Sequence, residues 1–107
     1  MKIKDWNIKE LTGYEPITSF YRDFSIADNF GIKAIKSTFN TAFKEWKTNY
    51  KYLTELVMAL NWKIWEHHNN NNITLSMLYQ ELWEKADCYA VNNLKGQELS
   101  YFYSTTD

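Results

Sequence analysis

The segment LVMALNWKIWEHH, residues 56–68, constrains the fold of this chain more than any other stretch. Eight of its thirteen side chains are apolar or aromatic. At about 100° per residue, a helix places one apolar stripe on one side, formed by Leu53, Leu56, Val57, Leu60 and Ile64. A second stripe, Met58, Trp62 and Trp65, falls on roughly the opposite side. A helix that is apolar nearly all round must be covered by other parts of the protein, so we predict a central helix over about residues 50–68.

The sequence leaves two interpretations of the second stripe open. In the first, the N-terminal arm or the tail covers Met58, Trp62 and Trp65 inside a closed domain. In the second, these side chains stay exposed and dock a protein partner or a second copy, because Trp and Met are favoured at such surfaces. The candidate protein-binding residues are therefore Met58, Trp62 and Trp65.

Helical spacing recurs along the rest of the chain, and it predicts the fold class. A short helix is expected over residues 5–13, and a stripe of Phe20, Phe24 and Ala27 predicts a second helix that ends before Gly31. Ser25 and Asp28 have the spacing of a capping box, so a break near Ser25 is an alternative.

Three further helices are predicted between Gly31 and the C-terminus in addition to the central one. The first carries Ile32, Ile35, Phe39, Ala42, Phe43 and Trp46 on one face and ends near Asn49. Another follows the polar loop at residues 69–72 and ends near Gly96, and a short one passes through Leu99 and Phe102. We therefore predict a single all-α domain over residues 1–107, an irregular antiparallel bundle of four main helices with short terminal helices.

A row of lysines on one helix face indicates a second functional hypothesis. On the helix after Gly31, one narrow sector holds Lys33, Lys36, Lys44, Lys47 and Lys51. Such a row could meet the phosphates of a nucleic acid backbone. The simpler interpretation is a solvated face, since lysine is a good helix former at exposed positions. Nucleic acid binding is the alternative function.

The signatures of catalysis and of metal binding are missing from the sequence. There is no glycine-rich phosphate loop, no Cys/His metal spacing and no nucleophile elbow. His67 and His68 point about 100° apart, so a surface or helix-capping role is expected for them. We expect no catalytic residues, no metal and no cofactor, and hence not an enzyme.

Composition and charge limit the partners and the compartment. The net charge of −1 argues against indiscriminate binding to nucleic acid or acidic membranes. Cys88 is the only cysteine, so no intrachain disulfide can form, as expected in a reducing cytosol. The first ten residues lack the apolar run of a signal peptide. The expectation is a cytoplasmic protein with no membrane partner.

Three stretches carry a resemblance: FNTAFKEWK, YLTELVMALNWKIWEHH and NNLKGQELSYFYSTTD. They resemble stretches of small uncharacterised helical proteins carried on prophages and conjugative elements of low-GC Gram-positive bacteria, over most of residues 17–107. The resemblance implies a cytoplasmic accessory protein of a mobile element. It brings no assigned activity and no catalytic residues.

Overall fold

The computed structural model describes residues 15–106, with the side chains of residues 19–106, and this part of the chain forms five helices without strands. The helices are α1 (Glu15–Asp28), α2 (Ile32–Trp46), α3 (Tyr50–Asn69), α4 (Ile73–Asn93) and α5 (Gln97–Thr106). The predicted all-α bundle is confirmed. The short helix expected over residues 5–13 lies outside the described residues.

The central helix α3 explains why its sequence is apolar on two sides. It contacts each of the other four described helices, so neighbours cover it from several directions. Every side chain from Leu53 to Leu60 is buried. The apolar pattern around α3 therefore reflects its position at the centre of the bundle.

The connections are short, and the polar residues in them end one helix and begin the next. Asn49 caps α3, because its side chain accepts hydrogen bonds from the backbone N–H groups of Lys51 and Tyr52. Asn72 caps α4 in the same way through the N–H of Leu75. Since three residues separate α3 from α4, the two helices pack side by side, and Ser76 Oγ donates to the carbonyl oxygen of Ile64.

The turn between α1 and α2 depends on a glycine. Gly31 has φ 101° and ψ −174°, a conformation that a side chain would strain. The helix before it runs without a break through Ser25, so the alternative of a break at Ser25 is wrong. The stripe of Phe20, Phe24 and Ala27 is buried, as its spacing predicts.

Candidate functional site

The structure divides the predicted aromatic stripe of α3. Met58 and Trp62 are only 4% and 6% exposed, whereas Trp65 is 42% exposed. The ring of Tyr21 on α1 meets the indole of Trp62 edge to face, with 5.7 Å between centroids. The interpretation in which all three side chains stay exposed for docking is therefore wrong for Met58 and Trp62, because the fold buries that side of α3. Trp65 remains at the surface, where its ring contacts His68.

The predicted lysine stripe is also divided. Lys33, Lys36 and Lys44 are exposed on α2, but Lys47 is the residue that follows the helix and Lys51 lies on α3. The prediction of one continuous row on the helix after Gly31 is wrong, because the chain turns at residues 47–49.

The amino group of Lys47 is held over aromatic rings. Its Nζ lies 5.7 Å from the centroid of the Phe43 ring and 5.6 Å from that of Tyr89. A contact of this kind between a cation and two ring faces is stabilising, so part of the expected stripe serves packing between α2 and α4.

A buried ion-pair cluster joins α1, α3 and α4. We define the Lys63 cluster by its five side chains, which are those of Asp28, Lys63, Glu66, His67 and Tyr79. Lys63 is fully buried, and its Nζ lies 2.6 Å from Asp28 Oδ2 and 2.5 Å from Glu66 Oε2. It also donates to Ser25 Oγ at 3.1 Å. The cluster places one ammonium group between two carboxylates.

Asp28 is the acceptor at the centre of this cluster. His67 Nε2 lies 2.9 Å from its Oδ2, and the Tyr79 hydroxyl donates to its Oδ1 at 2.5 Å. The rings of His67 and Tyr79 stack, with centroids 5.5 Å apart. Burial and this hydrogen bond to Asp28 raise the pKa of Tyr79, so that it stays protonated as a donor.

Tyr21 extends the network to Glu66 and closes one side of it. Its hydroxyl donates to Glu66 Oε1, and its ring lies 5.0 Å from Lys63 Nζ. Burial and the hydrogen bond to Glu66 raise the pKa of Tyr21 to about 12. Burial alone would raise the pKa of Glu66, but the hydrogen bonds from Lys63 and Tyr21 and the charge of Lys63 outweigh it and lower the pKa below 4.5.

The cluster has donor atoms that a metal ion could use. One ligand atom each of Asp28, Glu66 and His67 lies within 4.8 Å of the others. However, the ammonium of Lys63 already contacts both carboxylates. A cation bound there would have to displace a fully buried ammonium and would be repelled by it. The arrangement is that of an ion-pair network that holds three helices together.

The sequence pattern does not predict this cluster as a whole, although α3 carries part of the signal. Lys63 follows Leu56 by seven positions and Leu60 by three, so it falls on the buried stripe. His67 follows Lys63 by four positions on the same stripe. Of the two roles predicted for the histidines, the surface role is wrong for His67, which is buried, whereas His68 is exposed. Both lie in the last turn of α3, where the helix-capping role places them.

The lowered pKa of Glu66 predicts an acid dependence of stability. As the pH falls through 4.5, the unfolded chain takes up a proton at Glu66 before the folded chain does, so the free energy of unfolding falls with it. We expect Glu66→Gln to make this decline shallower between about pH 5 and pH 3. The measurement is urea denaturation across that range. Glu84→Gln, at an exposed glutamate of α4, is the control, and equal slopes for the wild type and Glu66→Gln would contradict the assignment.

A groove lies between α1 and α2, and none of the described residues that line it belongs to the Lys63 cluster. It has a volume of about 450 Å³. Small side chains line it, those of Ala27, Ala34, Thr38 and Ala42. Two large apolar side chains that line it are exposed, Phe30 at 75% and Ile26 at 52%. We call this feature the hairpin groove.

Acidic residues supply the charge of the hairpin groove. Among the described residues that line it, the charged ones are Asp23 on α1 and Glu45 on α2. The exposed lysines of α2 do not belong to this lining. The groove therefore combines exposed apolar side chains, small residues and two carboxylates.

No described helix is both long enough and apolar enough to span a membrane. Comparison of the chain with protein-family models, curated proteins and solved structures finds no match. The function must therefore be argued from the geometry of the surface.

Proposed function

We propose that this protein is a small non-catalytic interaction module that binds a helical segment of a protein partner in the hairpin groove. The observation that carries the proposal is the 75% exposure of Phe30 beside a groove of about 450 Å³. Full burial of a Phe side chain contributes about 1.5–3 kcal/mol. A partner that covers Phe30 and Ile26 would gain binding free energy from both.

The form of the groove favours a helix as the occupant. Two packed helices with small residues between them leave a furrow into which the side chains of a third helix fit. Ala34, Thr38 and Ala42 recur at helical spacing along the α2 wall, and their small size lets a partner approach the backbone closely. An amphipathic helix that lays its apolar face into such a groove is a recurring mode of recognition.

The other functional expectations remain proposals with less support. A cytoplasmic location and a role as a mobile-element accessory protein follow from the composition and the resemblance. Nucleic acid binding through the lysines stays a prediction. Because Lys47 packs on aromatic rings and Lys51 lies on a different helix, the geometry favours the groove.

We expect Phe30→Ser to abolish binding of a helical peptide and to leave the fold intact, because Phe30 contributes little to the core. The probe is an amphipathic peptide with a leucine and alanine face and glutamine flanks, titrated into the ¹⁵N-labelled full-length protein. The amides that shift should be those around Phe30, Ala34 and Thr38. Circular dichroism checks the fold of each variant.

Met77→Ser is the matched control, because Met77 is an exposed apolar residue of α4 outside the groove lining. It should bind the peptide as the wild type does. If the shifts centre on other residues, or if Phe30→Ser binds unchanged, the groove is not the binding surface.

A further inference from the structure

We infer that the partner helix of the hairpin groove is basic along its flanks, with Lys or Arg side chains that meet Asp23 and Glu45. This inference rests on the proposed function and specifies the chemistry of the partner. It starts from the placement of the two carboxylates, one on each wall of the groove. A helix that lies in the groove would have one carboxylate on either side of it.

Both carboxylates are accessible to a partner. Glu45 is exposed, and the side chain of Asp23 is 53% exposed. Asp23 does have a neighbour of opposite charge, since Arg22 Nε lies 3.9 Å from its Oδ1. That contact is long and largely in solvent, and such surface pairs are weak. A basic side chain on the partner can therefore compete for Asp23.

The sector of α2 that faces the groove differs in charge from the sector beside it. Ala34, Thr38, Ala42 and Glu45 line the groove, whereas the exposed lysines Lys33, Lys36 and Lys44 do not. At about 100° per residue, the two sets occupy different sectors of the helix. Because the lysines lie outside the lining, the groove keeps its acidic character. Their positive charge would repel a basic helix placed on the neighbouring sector of α2.

The two exposed large apolar residues of the groove lie closer to the turn than its acidic residues do, while the apolar side chains at the far end are the buried Phe20 and the half-buried Trp46. Phe30 and Ile26 lie close to the turn at Gly31, whereas Asp23 and Glu45 lie further from it along their helices. A matching partner helix has its large apolar side chains towards the turn and its basic side chains along the remaining length. Charge arranged in this way fixes the direction in which a partner binds.

The test compares three labelled peptides with the same leucine and alanine face and with lysine, glutamine or glutamate flanks. Binding to the full-length protein is followed by fluorescence anisotropy at low and at high salt. We expect the lysine peptide to bind about three- to tenfold more tightly than the glutamine peptide at low salt, as two exposed ion pairs allow. The glutamate peptide should bind most weakly, and added salt should reduce these differences.

Two double variants assign the preference to the groove. Asp23→Asn with Glu45→Gln should remove the advantage of the lysine peptide and leave binding of the glutamine peptide unchanged. Glu81→Gln with Glu84→Gln removes the same charge from the exposed face of α4, outside the groove lining, and should keep the advantage. The inference is overturned if Asp23→Asn with Glu45→Gln still binds the lysine peptide more tightly than the glutamine peptide. It is also overturned if Glu81→Gln with Glu84→Gln no longer does.

The remaining outcomes separate this inference from the proposed function. If all three peptides bind equally well, the carboxylates of Asp23 and Glu45 do not select the partner, while the groove still binds helices. If none binds, the proposed function and the inference both fail. If the molecular mass in solution doubles as the protein concentration rises, and Phe30→Ser restores the monomer mass, the groove binds a second copy of this chain. Trp6 is a large aromatic residue of the N-terminal segment, outside the described residues. Tighter binding of all peptides by Trp6→Ala would assign the groove to that segment of this chain. Either result overturns the inference.

Discussion

Trp62→Ala is expected to lower the free energy of unfolding by about 3–5 kcal/mol, the usual cost of truncating a buried large aromatic side chain. The indole is 6% exposed and packs edge to face against Tyr21. Truncation would leave a cavity between α1 and α3. Urea denaturation followed by circular dichroism measures the loss. In a domain of this size, such a loss is a large part of the total stability.

Trp65→Ala is the matched control on the same helix. Its indole is 42% exposed, so we expect its truncation to change the free energy of unfolding by less than about 1 kcal/mol, in the range of surface substitutions. Equal losses for the two variants, or a larger loss for Trp65→Ala, would contradict the burial that distinguishes them. The comparison tests the division of the stripe in the structure, with Trp62 buried and Trp65 at the surface.

The helices of this protein could be predicted because local signals mark them. Apolar residues at helical spacing predict α1 and α2, and Asn49 and Gly31 mark where one helix ends and another begins. The side chain of Asn49 does cap α3, and Gly31 has the positive φ that its position in the turn requires. These features depend on residues close together in the sequence, which is why the sequence alone predicts them.

The position of Met58 and Trp62 could not be predicted in the same way. Periodicity indicates that α3 is apolar on two sides, but it does not indicate which neighbours cover each side. In the structure α3 contacts all four other described helices, and Tyr21, which is 41 positions before Trp62 in the sequence, packs on the indole. Burial of the second stripe is a property of the tertiary arrangement.

The Lys63 cluster was missed for a related reason. Asp28 and Lys63 are 35 positions apart, and no local pattern connects them. The spacing of Ser25 and Asp28 indicated a helix cap, yet in the folded protein both side chains receive hydrogen bonds or ion pairs from Lys63. Charged residues on an apolar stripe, such as Lys63, are a signal that a buried partner exists, but the partner is identified only by the fold.

The helical spacing of apolar residues in the sequence does not predict the hairpin groove either. Phe30 lies in the turn after α1, where helical spacing does not apply, and small residues on α2 indicate little by themselves. Only the packing of α1 against α2 brings Ile26 and Ala34 into one groove and sets Asp23 and Glu45 on its two walls. A binding surface formed by two elements becomes visible once their relative position is known.

Lys63→Met is expected to lower the free energy of unfolding by about 3–5 kcal/mol, as found when one partner of a buried ion pair is removed. The ammonium is fully buried, and the side chain of its partner Asp28 is only 13% exposed. Without the ammonium, the carboxylate of Asp28 would keep its hydrogen bonds to Tyr79 and His67 but lose the charge closest to it. Chemical denaturation measures the effect, and Lys85→Met, at an exposed lysine of α4, should change stability little.

The double variant Lys63→Met with Asp28→Asn separates the ion pair from the packing of the lysine stem. Asp28 is the more deeply buried of the two carboxylates that Lys63 Nζ contacts, with a side chain 13% exposed against 32% for Glu66. Because the double variant removes that uncompensated buried charge, we expect it to recover at least half of the loss. The Tyr79 hydroxyl can still donate to the amide oxygen of Asn at position 28. A coupling energy near zero in the double-mutant cycle would mean that Asp28 and Lys63 do not depend on each other. That result would contradict a cluster in which an ammonium between two carboxylates holds α1 against α3.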